Sequence, residues 1–336
     1  MIPTVPRLIR EFGRPSDYGS SSSSVPVGAS SVMLRRVAVL SGVTLLVLSS
    51  VAFGPGLLRR DVERYEWDRT IGEGALTDPI GIAYGDGRLF VTDAAENAIV
   101  VFDTAGALLA EWGDSTLDLR RPMHLSLGSD LVLRVSEYLS DRVALVDLEG
   151  LLVGRIGGAS GSGAGELDAP GGAAEVGGAL FISDFYNHRV QGFADGVTRQ
   201  IGKPGRLLNA RLHYPTDVAV DDSLVYVADA YNNRVQVFRT NGEYVRKWGG
   251  PLGLGGRGGL GGWFRVATGI EVSDGKVYTA DFENDRIQIF TDRGKYLGQV
   301  RDSLHLPTDV AVGPNGELYV VDFGHQRVVR FQPLGH

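Results

Sequence analysis

The stretch PTDVAVDDSLVYVADAYNNRVQVFRTNGEYVRKWG, residues 215–249, decides the fold. It holds four short runs of alternating or β-branched residues, separated by turn-forming Asp, Asn and Gly, the pattern of a small antiparallel sheet. The run after Pro215 is small and apolar, as an innermost strand crowding an axis must be. LVYVAD reads as the second strand, RVQVF as the third and EYVRKW as the outermost, with Asn241-Gly242 as the hairpin between the last two. The same pattern recurs in LFVTDAAENAIVVF (89–102), LRVSEYLSDRVALV (133–146), LFISDFYNHRVQGF (180–193), VYTADFENDRIQIF (277–290) and LYVVDFGHQRVVRF (318–331). The aligned acids are Asp93, Glu137, Asp184, Asp229, Asp281 and Asp322, at spacings of 41 to 52 residues. Repetition at that period is the signature of four-stranded blades arranged around an axis.

The last copy ends at Phe331 with five residues left and no outer strand. Residues 65–72, YEWDRTIG, match the outer strand of the 215–249 copy. They are expected to complete the last blade and close the ring, which leaves few open sheet edges. The Gly-rich stretches 157–165 and 249–262 read as connections between blades. A GxGxxG match at Gly253, Gly255 and Gly258 lies inside the second of these, not between a strand and a helix, and so carries no nucleotide site.

The P-x-x-V-A-V, V-A-D and N-x-R-V-Q-V-F runs resemble the NHL repeat family over about residues 71–331. The resemblance implies an all-β, six-bladed propeller. The copy around Glu137 departs most, with Ser140-Asp141 for the Asn pair, and the first copy has Ala98 in place of Arg. Six-bladed relatives of this kind include peptidyl-amidoglycolate lyases, which place His directly after the Pro of the inner strand. Here those positions hold Ile80, Met123, Gly171, Thr216 and Thr308, so no metal ligand carries over from that pattern.

Each Asp-x-x-x-x-Arg pair (Asp184 with Arg189, Asp229 with Arg234, Asp281 with Arg286, Asp322 with Arg327) spans the turn between second and third strands. Recurrence in most blades points to architecture, with the carboxylate accepting backbone N–H bonds and Arg reaching a neighbouring segment. Tyr138, Phe185, Tyr186, Tyr231, Phe282 and Phe323 follow the acids as packing and rim residues. The distinctive set lies two residues after the Pro: Gly81, His124, Gly172, Asp217, Gly269 and Asp309, the fifth copy having Ala267 for Pro. Polar groups therefore alternate with Gly around the ring. His124, Asp217 and Asp309 form a possible ligand set for a divalent metal in the channel. A plainer role for the same residues is strand capping by the two Asp, with His124 facing channel water.

The 336 residues include 47 Gly and no Cys, which excludes a mainly helical protein, a disulfide scaffold and thiolate chemistry. Residues 1–60 hold seven Arg and two acids, whereas 61–336 carry a balance of −12. An acidic body repels phosphate, so no nucleic-acid partner is expected. Residues 37–58 form a 22-residue uncharged run flanked by Arg35-Arg36 and Arg59-Arg60. As a helix it would be roughly 33 Å long, enough to cross a bilayer. The favoured division is a basic Ser/Pro-rich tail (1–32), a single membrane-spanning signal anchor (33–60) and the propeller (61–336). The N-terminus would be cytoplasmic and the propeller extracytoplasmic, on the periplasmic side. A secretory signal starting at Met33, cleaved after Ser50-Val51-Ala52, and a buried core helix are the other readings of the run.

No copy shows a nucleophile–base pair, P-loop or HExxH motif. The expected function is a non-enzymatic interaction or scaffold module, an accessory subunit of a larger membrane protein complex without a required cofactor. The alternatives are a metal-dependent lyase or hydrolase-like propeller with its site at His124, Asp217 and Asp309, and a ligand-sensing propeller.

Overall fold

A computed structural model describes residues 63–194 and 196–335. The chain divides between Arg60 and Asp61. The expected tail (1–32) and membrane anchor (33–60) lie outside the described residues. Among the described residues, no helix is long and apolar enough to cross a membrane.

Six four-stranded antiparallel sheets succeed one another along the chain. Blade 1 comprises Pro79–Gly85, Arg88–Asp93, Ala98–Asp103 and Leu108–Trp112. Blade 2 comprises Pro122–Leu127, Val132–Glu137, Arg142–Asp147 and Leu152–Gly157, and blade 3 Pro170–Val176, Ala179–Asp184, Arg189–Ala194 and Val197–Ile201. Blade 4 runs Pro215–Asp221, Leu224–Asp229, Arg234–Arg239 and Tyr244–Trp248, and blade 5 Ala267–Ser273, Lys276–Asp281, Arg286–Thr291 and Tyr296–Val300. Blade 6 takes three strands from the C-terminus, Pro307–Val312, Leu318–Asp322 and Arg327–Pro333. Its fourth is Tyr65–Ile71, paired antiparallel with Arg327–Pro333 from Tyr65 opposite Pro333 to Ile71 opposite Val328. The first strand of the ring thus completes its last sheet, and every backbone bond of that closure is noncovalent.

Sheets with two apolar faces must bury both, and they do so against each other. A separate buried cluster fills each interface. Ala83, Phe90 and Ile99 pack with Leu125, Val135 and Val146 between blades 1 and 2. Equivalent clusters join blades 3 and 4, 4 and 5, 5 and 6, and 6 and 1. The cluster between blades 2 and 3 is the smallest, with Val143, Leu167, Ala173, Leu180 and Ile182 as its buried members.

Polar latches fix the blades within this apolar frame. The Asp229 carboxylate is fully buried and accepts from Arg234 Nε (2.8 Å), Asn232 Nδ2, Gln236 Nε2 and the His213 amide. Arg234 in turn donates to the carbonyls of Leu207, Leu208 and Arg211, which belong to the connection arriving from blade 3. Arg189 and Arg286 grip their incoming connections in the same way. The aligned acid is therefore a structural latch. In blade 1, where Ala98 replaces Arg, Asp93 still accepts from the amides of Thr77 and Asp78.

A second stitch was not foreseen from the sequence. The residue that ends each turn between second and third strands adopts a left-handed conformation, φ 51–53°, in Asn97, Asp141, His188, Asn233, Asp285 and Gln326. Five of these side chains accept from a backbone amide that opens the next blade: Arg121, Ala169, Tyr214, Val266 and Leu306. Gln326 makes the sixth link in reverse, donating to the carbonyl of Thr77 and joining blade 6 to blade 1. One short polar side chain per blade, in the conformation Asn and Asp tolerate best, thus carries the ring contact. The Asn241-Gly242 hairpin forms as expected, with Gly242 at φ 91° and the bulge shifting register after Val237.

Candidate functional site: the axial His–Asp–Asp cluster

In every blade the pairing of inner and second strands shifts register just after the Pro position (Pro79/Ile82, Pro122/Leu125, Pro170/Ala173, Pro215/Asp217, Ala267/Ile270, Pro307/Asp309). A bulge re-aims the side chain it carries. That side chain belongs to the alternating set Gly81, His124, Gly172, Asp217, Gly269 and Asp309. The alternation is steric. A Cβ on Gly81 would meet the His124 Cα at 2.6 Å, one on Gly172 would strike the Asp217 carboxylate, and one on Gly269 the Asp309 carboxylate. Each Gly is the space into which the polar residue of the following blade fits.

The three polar side chains meet. His124 Nδ1 lies 3.3 Å from Asp309 Oδ2 and 3.9 Å from Asp217 Oδ2. One ligand atom from each residue lies within 4.8 Å of the others. His124, Asp217 and Asp309 are only 4%, 5% and 3% exposed. Each Asp uses Oδ1 to accept the next amide of its own strand, Val218 at 2.8 Å and Val310 at 2.9 Å. Each uses Oδ2 to accept an amide of the following blade, Ile270 at 2.9 Å and Ile82 at 3.0 Å. The carboxylates do cap their own strands, and they also sew blade 4 to 5 and blade 6 to 1. His124 Nδ1, by contrast, has no well-formed hydrogen bond.

The electrostatics of the cluster are set by burial and by close opposite charges. Burial alone would lower the His124 pKa, but the carboxylates of Asp217 and Asp309 outweigh it and raise it to about 9. Burial raises Asp217 to about 7, held back by the His124 charge and pushed on by Asp309. A fourth ionisable group belongs to the same space. Glu271 lines, with Asp217 and Asp309, a channel cavity of about 210 Å³, and burial plus those two carboxylates lift its pKa to about 8. Sequence reading missed it. The available signal was register: two residues beyond the alternating set the other blades carry Ala83, Ser126, Ala174, Ala219 and Ala311, and only blade 5 carries an acid.

The aromatic residues after the acids split as packing and rim. Tyr138, Phe185 and Phe282 are buried, and Tyr186 and Tyr231 are half-buried. Tyr186, His188, His213, Tyr214 and Tyr231 form a run of edge and tilted ring contacts across blades 3 and 4. Gly253, Gly255 and Gly258 lie in the blade 4–5 connection, with Gly253 and Gly255 at φ 65° and 81°.

The fold and its axial cluster define an all-β, six-bladed propeller. Two of its blades are recognisable by sequence as NHL repeats, since the NHL repeat model matches residues 212–238 in blade 4 and 304–331 in blade 6. Peptidyl-glycine alpha-amidating monooxygenases A and B of Xenopus laevis are similar at 30% identity over 158 residues and 31% over 160, in each case 43% of this chain. The matched part is 17% and 18% of those relatives, so the chain spans under a fifth of their length. Among solved structures, a gluconolactonase from Xanthomonas campestris superposes with a TM-score of 0.61 at 12% identity, covering 81% of this chain and 95% of that one. A streptogramin B lyase gives 0.56 at 13%, covering 82% and 99%. Virginiamycin B lyase from Staphylococcus aureus gives 0.55 at 16%, covering 81% and 89%. At these identities the likeness is one of fold.

Proposed function

We propose that the protein is a non-enzymatic interaction propeller, tethered to a membrane through residues 37–58, that acts as an accessory subunit docking on a larger membrane protein complex. The observation that carries this reading is a band of exposed apolar side chains on outer strands and their hairpins. Trp67 of blade 6, Leu108 and Leu109 of blade 1, and Leu151 and Val153 of blade 2 are each about half or more exposed. These three blades are consecutive around the ring. Gly106 in the hairpin of blade 1 lies against Ile71 of blade 6, and Gly150 in the hairpin of blade 2 lies against Trp112 of blade 1. Single leucines on a surface need no explanation, but exposed apolar side chains on the outer strands and hairpins of three consecutive blades fit a protein interface.

The partner class follows from chain position. Trp67 lies nine residues after Leu58, the end of the uncharged run, so the band begins where the chain leaves its apolar segment. An extracytoplasmic surface of a membrane protein is the partner such a tether presents at high effective concentration. The polar latches support a scaffold role, because they consume the repeated acids and arginines in architecture.

The test is a charge-insertion pair, Leu109→Asp with Leu151→Asp, in the full-length chain. Both sites are exposed, so the fold should change in stability by less than about 0.5 kcal/mol each. Recovery of the chain in the membrane complex should fall at least tenfold. Unchanged recovery, with the wild-type chain bound, would refute this surface as the docking site.

A further inference from the structure

The axial cluster has a donor set that its stitching role does not use up. Each Asp Oδ2 receives a single amide and keeps a second acceptor site, whereas His124 Nδ1 is buried and lacks a hydrogen-bond partner. Burying a polar nitrogen without a partner is costly unless something fills the position. If the imidazole served only as a cationic partner to the two acids, its N–H would be expected to align with one of them. At 3.3 and 3.9 Å from the two carboxylates it makes a well-formed hydrogen bond to neither.

We propose that the channel binds one first-row divalent cation of the zinc class, held by His124 Nδ1, Asp217 Oδ2 and Asp309 Oδ2. A four-coordinate ion with bonds of about 2.0–2.1 Å spaces its ligands about 3.3 Å apart. The two His–Asp separations are 3.3 and 3.9 Å and all three ligand atoms lie within 4.8 Å of one another, so side-chain rotation must draw them together around the ion. Two carboxylates neutralise a divalent charge, which suits a site shielded from water. The ligands stand on rigid inner strands of alternate blades, so the site is built before the ion arrives. An imidazole nitrogen among so few oxygens disfavours Ca²⁺ and Mg²⁺, which take six or more oxygen ligands or retain their water. Three protein ligands leave a fourth position open, and Glu271, which lines the cavity beside Asp217 and Asp309 as Glu175 also does, would accept a hydrogen bond from a water bound there.

The probe is the metal alone. Full-length protein in mild detergent, stripped with a chelator, is titrated with Zn²⁺, Mn²⁺ and Ca²⁺ by calorimetry, and Co²⁺ is added for its visible spectrum. The expected result is one Zn²⁺ per chain, Zn²⁺ at least a hundredfold tighter than Ca²⁺, and a four-coordinate Co²⁺ band. His124→Ala should weaken Zn²⁺ at least a hundredfold. Glu271→Gln should change it less than tenfold, because that residue acts through water. His188→Asn with His213→Gln removes the half-buried pair of histidines in blades 3 and 4 and should leave the tight site intact. If His124→Ala fails to fold, the Co²⁺ spectrum of the wild-type chain decides alone. Absence of binding at 100 µM Zn²⁺, a six-coordinate Co²⁺ spectrum, or tight binding lost only in the His188/His213 variant would each overturn the proposal. In the first of those outcomes the cluster is an imidazolium held by two carboxylates.

Discussion

Replacing Asp229 by Ala removes the centre of the blade 4 latch. The side chain is fully buried and accepts from four donors, counting both Asn232 contacts as one group, and Arg234 opposite it is fully buried too. After the substitution Arg234 keeps its three carbonyl partners at Leu207, Leu208 and Arg211 but loses its counter-charge. The His213 amide loses its acceptor as well. Removing one partner of a buried ion pair costs about 3–5 kcal/mol. In a domain of this size each kcal/mol lowers Tm by about 2–4 °C, so calorimetry should show a drop of about 10 °C. Two comparisons isolate the cause. Glu243→Ala, which removes the exposed partner of Arg239, should move Tm by less than about 2 °C. Asp229→Ala combined with Arg234→Met should recover part of the loss, because the stranded charge goes with it. A drop below about 2 °C for Asp229→Ala, or a double variant less stable than the single by the full Arg234 cost, would refute the latch.

Gly81→Ala tests the steric origin of the alternation. Its Cβ would sit 2.6 Å from the His124 Cα and 2.8 Å from the Met123 carbonyl, both backbone, so a loss of about 3 kcal/mol is expected in urea unfolding, against under about 1 kcal/mol for an exposed Ala95→Ser. The interface between blades 2 and 3, with the smallest apolar cluster, should open first, giving faster amide exchange in Leu180–Asp184 than in Val225–Asp229. Burial, then the charges of Arg206 and His188, lowers the His213 pKa to about 4, and burial lowers His188. Both groups fold neutral, so their contribution is complete above pH 6.5 and is lost as pH falls from 6.5 towards 4. His188→Asn, which retains the stitch to Tyr214, together with His213→Gln should flatten stability across that window. An unchanged slope would show that other groups govern it.

Much of the fold was legible because repetition supplies its own alignment. Six copies share an acid and a turn, five of them an Arg as well, and a missing outer strand at one end with a spare one at the other implies a join. The metal candidates His124, Asp217 and Asp309 were visible because a fixed offset from Pro gives a fixed position on the axis. The reason for their alternation with Gly was not visible, since it depends on which blade faces which. Glu271 needed the same register carried two residues further, where an acid among Ala and Ser stands out. The stitches from Asn97, Asp141, His188, Asn233 and Asp285 were hidden because their partners lie in the next blade, more than twenty residues away. The half-exposed leucines on the outer strands do not differ by periodicity from strand residues that pack inward, so only exposure reveals the band.

The most direct test of the functional account is intact-mass measurement with partner identification on the protein solubilised from native membranes in mild detergent. The account predicts a full-length chain that retains residues 37–58 and co-purifies at fixed stoichiometry with a defined membrane protein complex. A mature chain beginning near Phe53, recovered soluble and alone, would contradict both the tether and the accessory role.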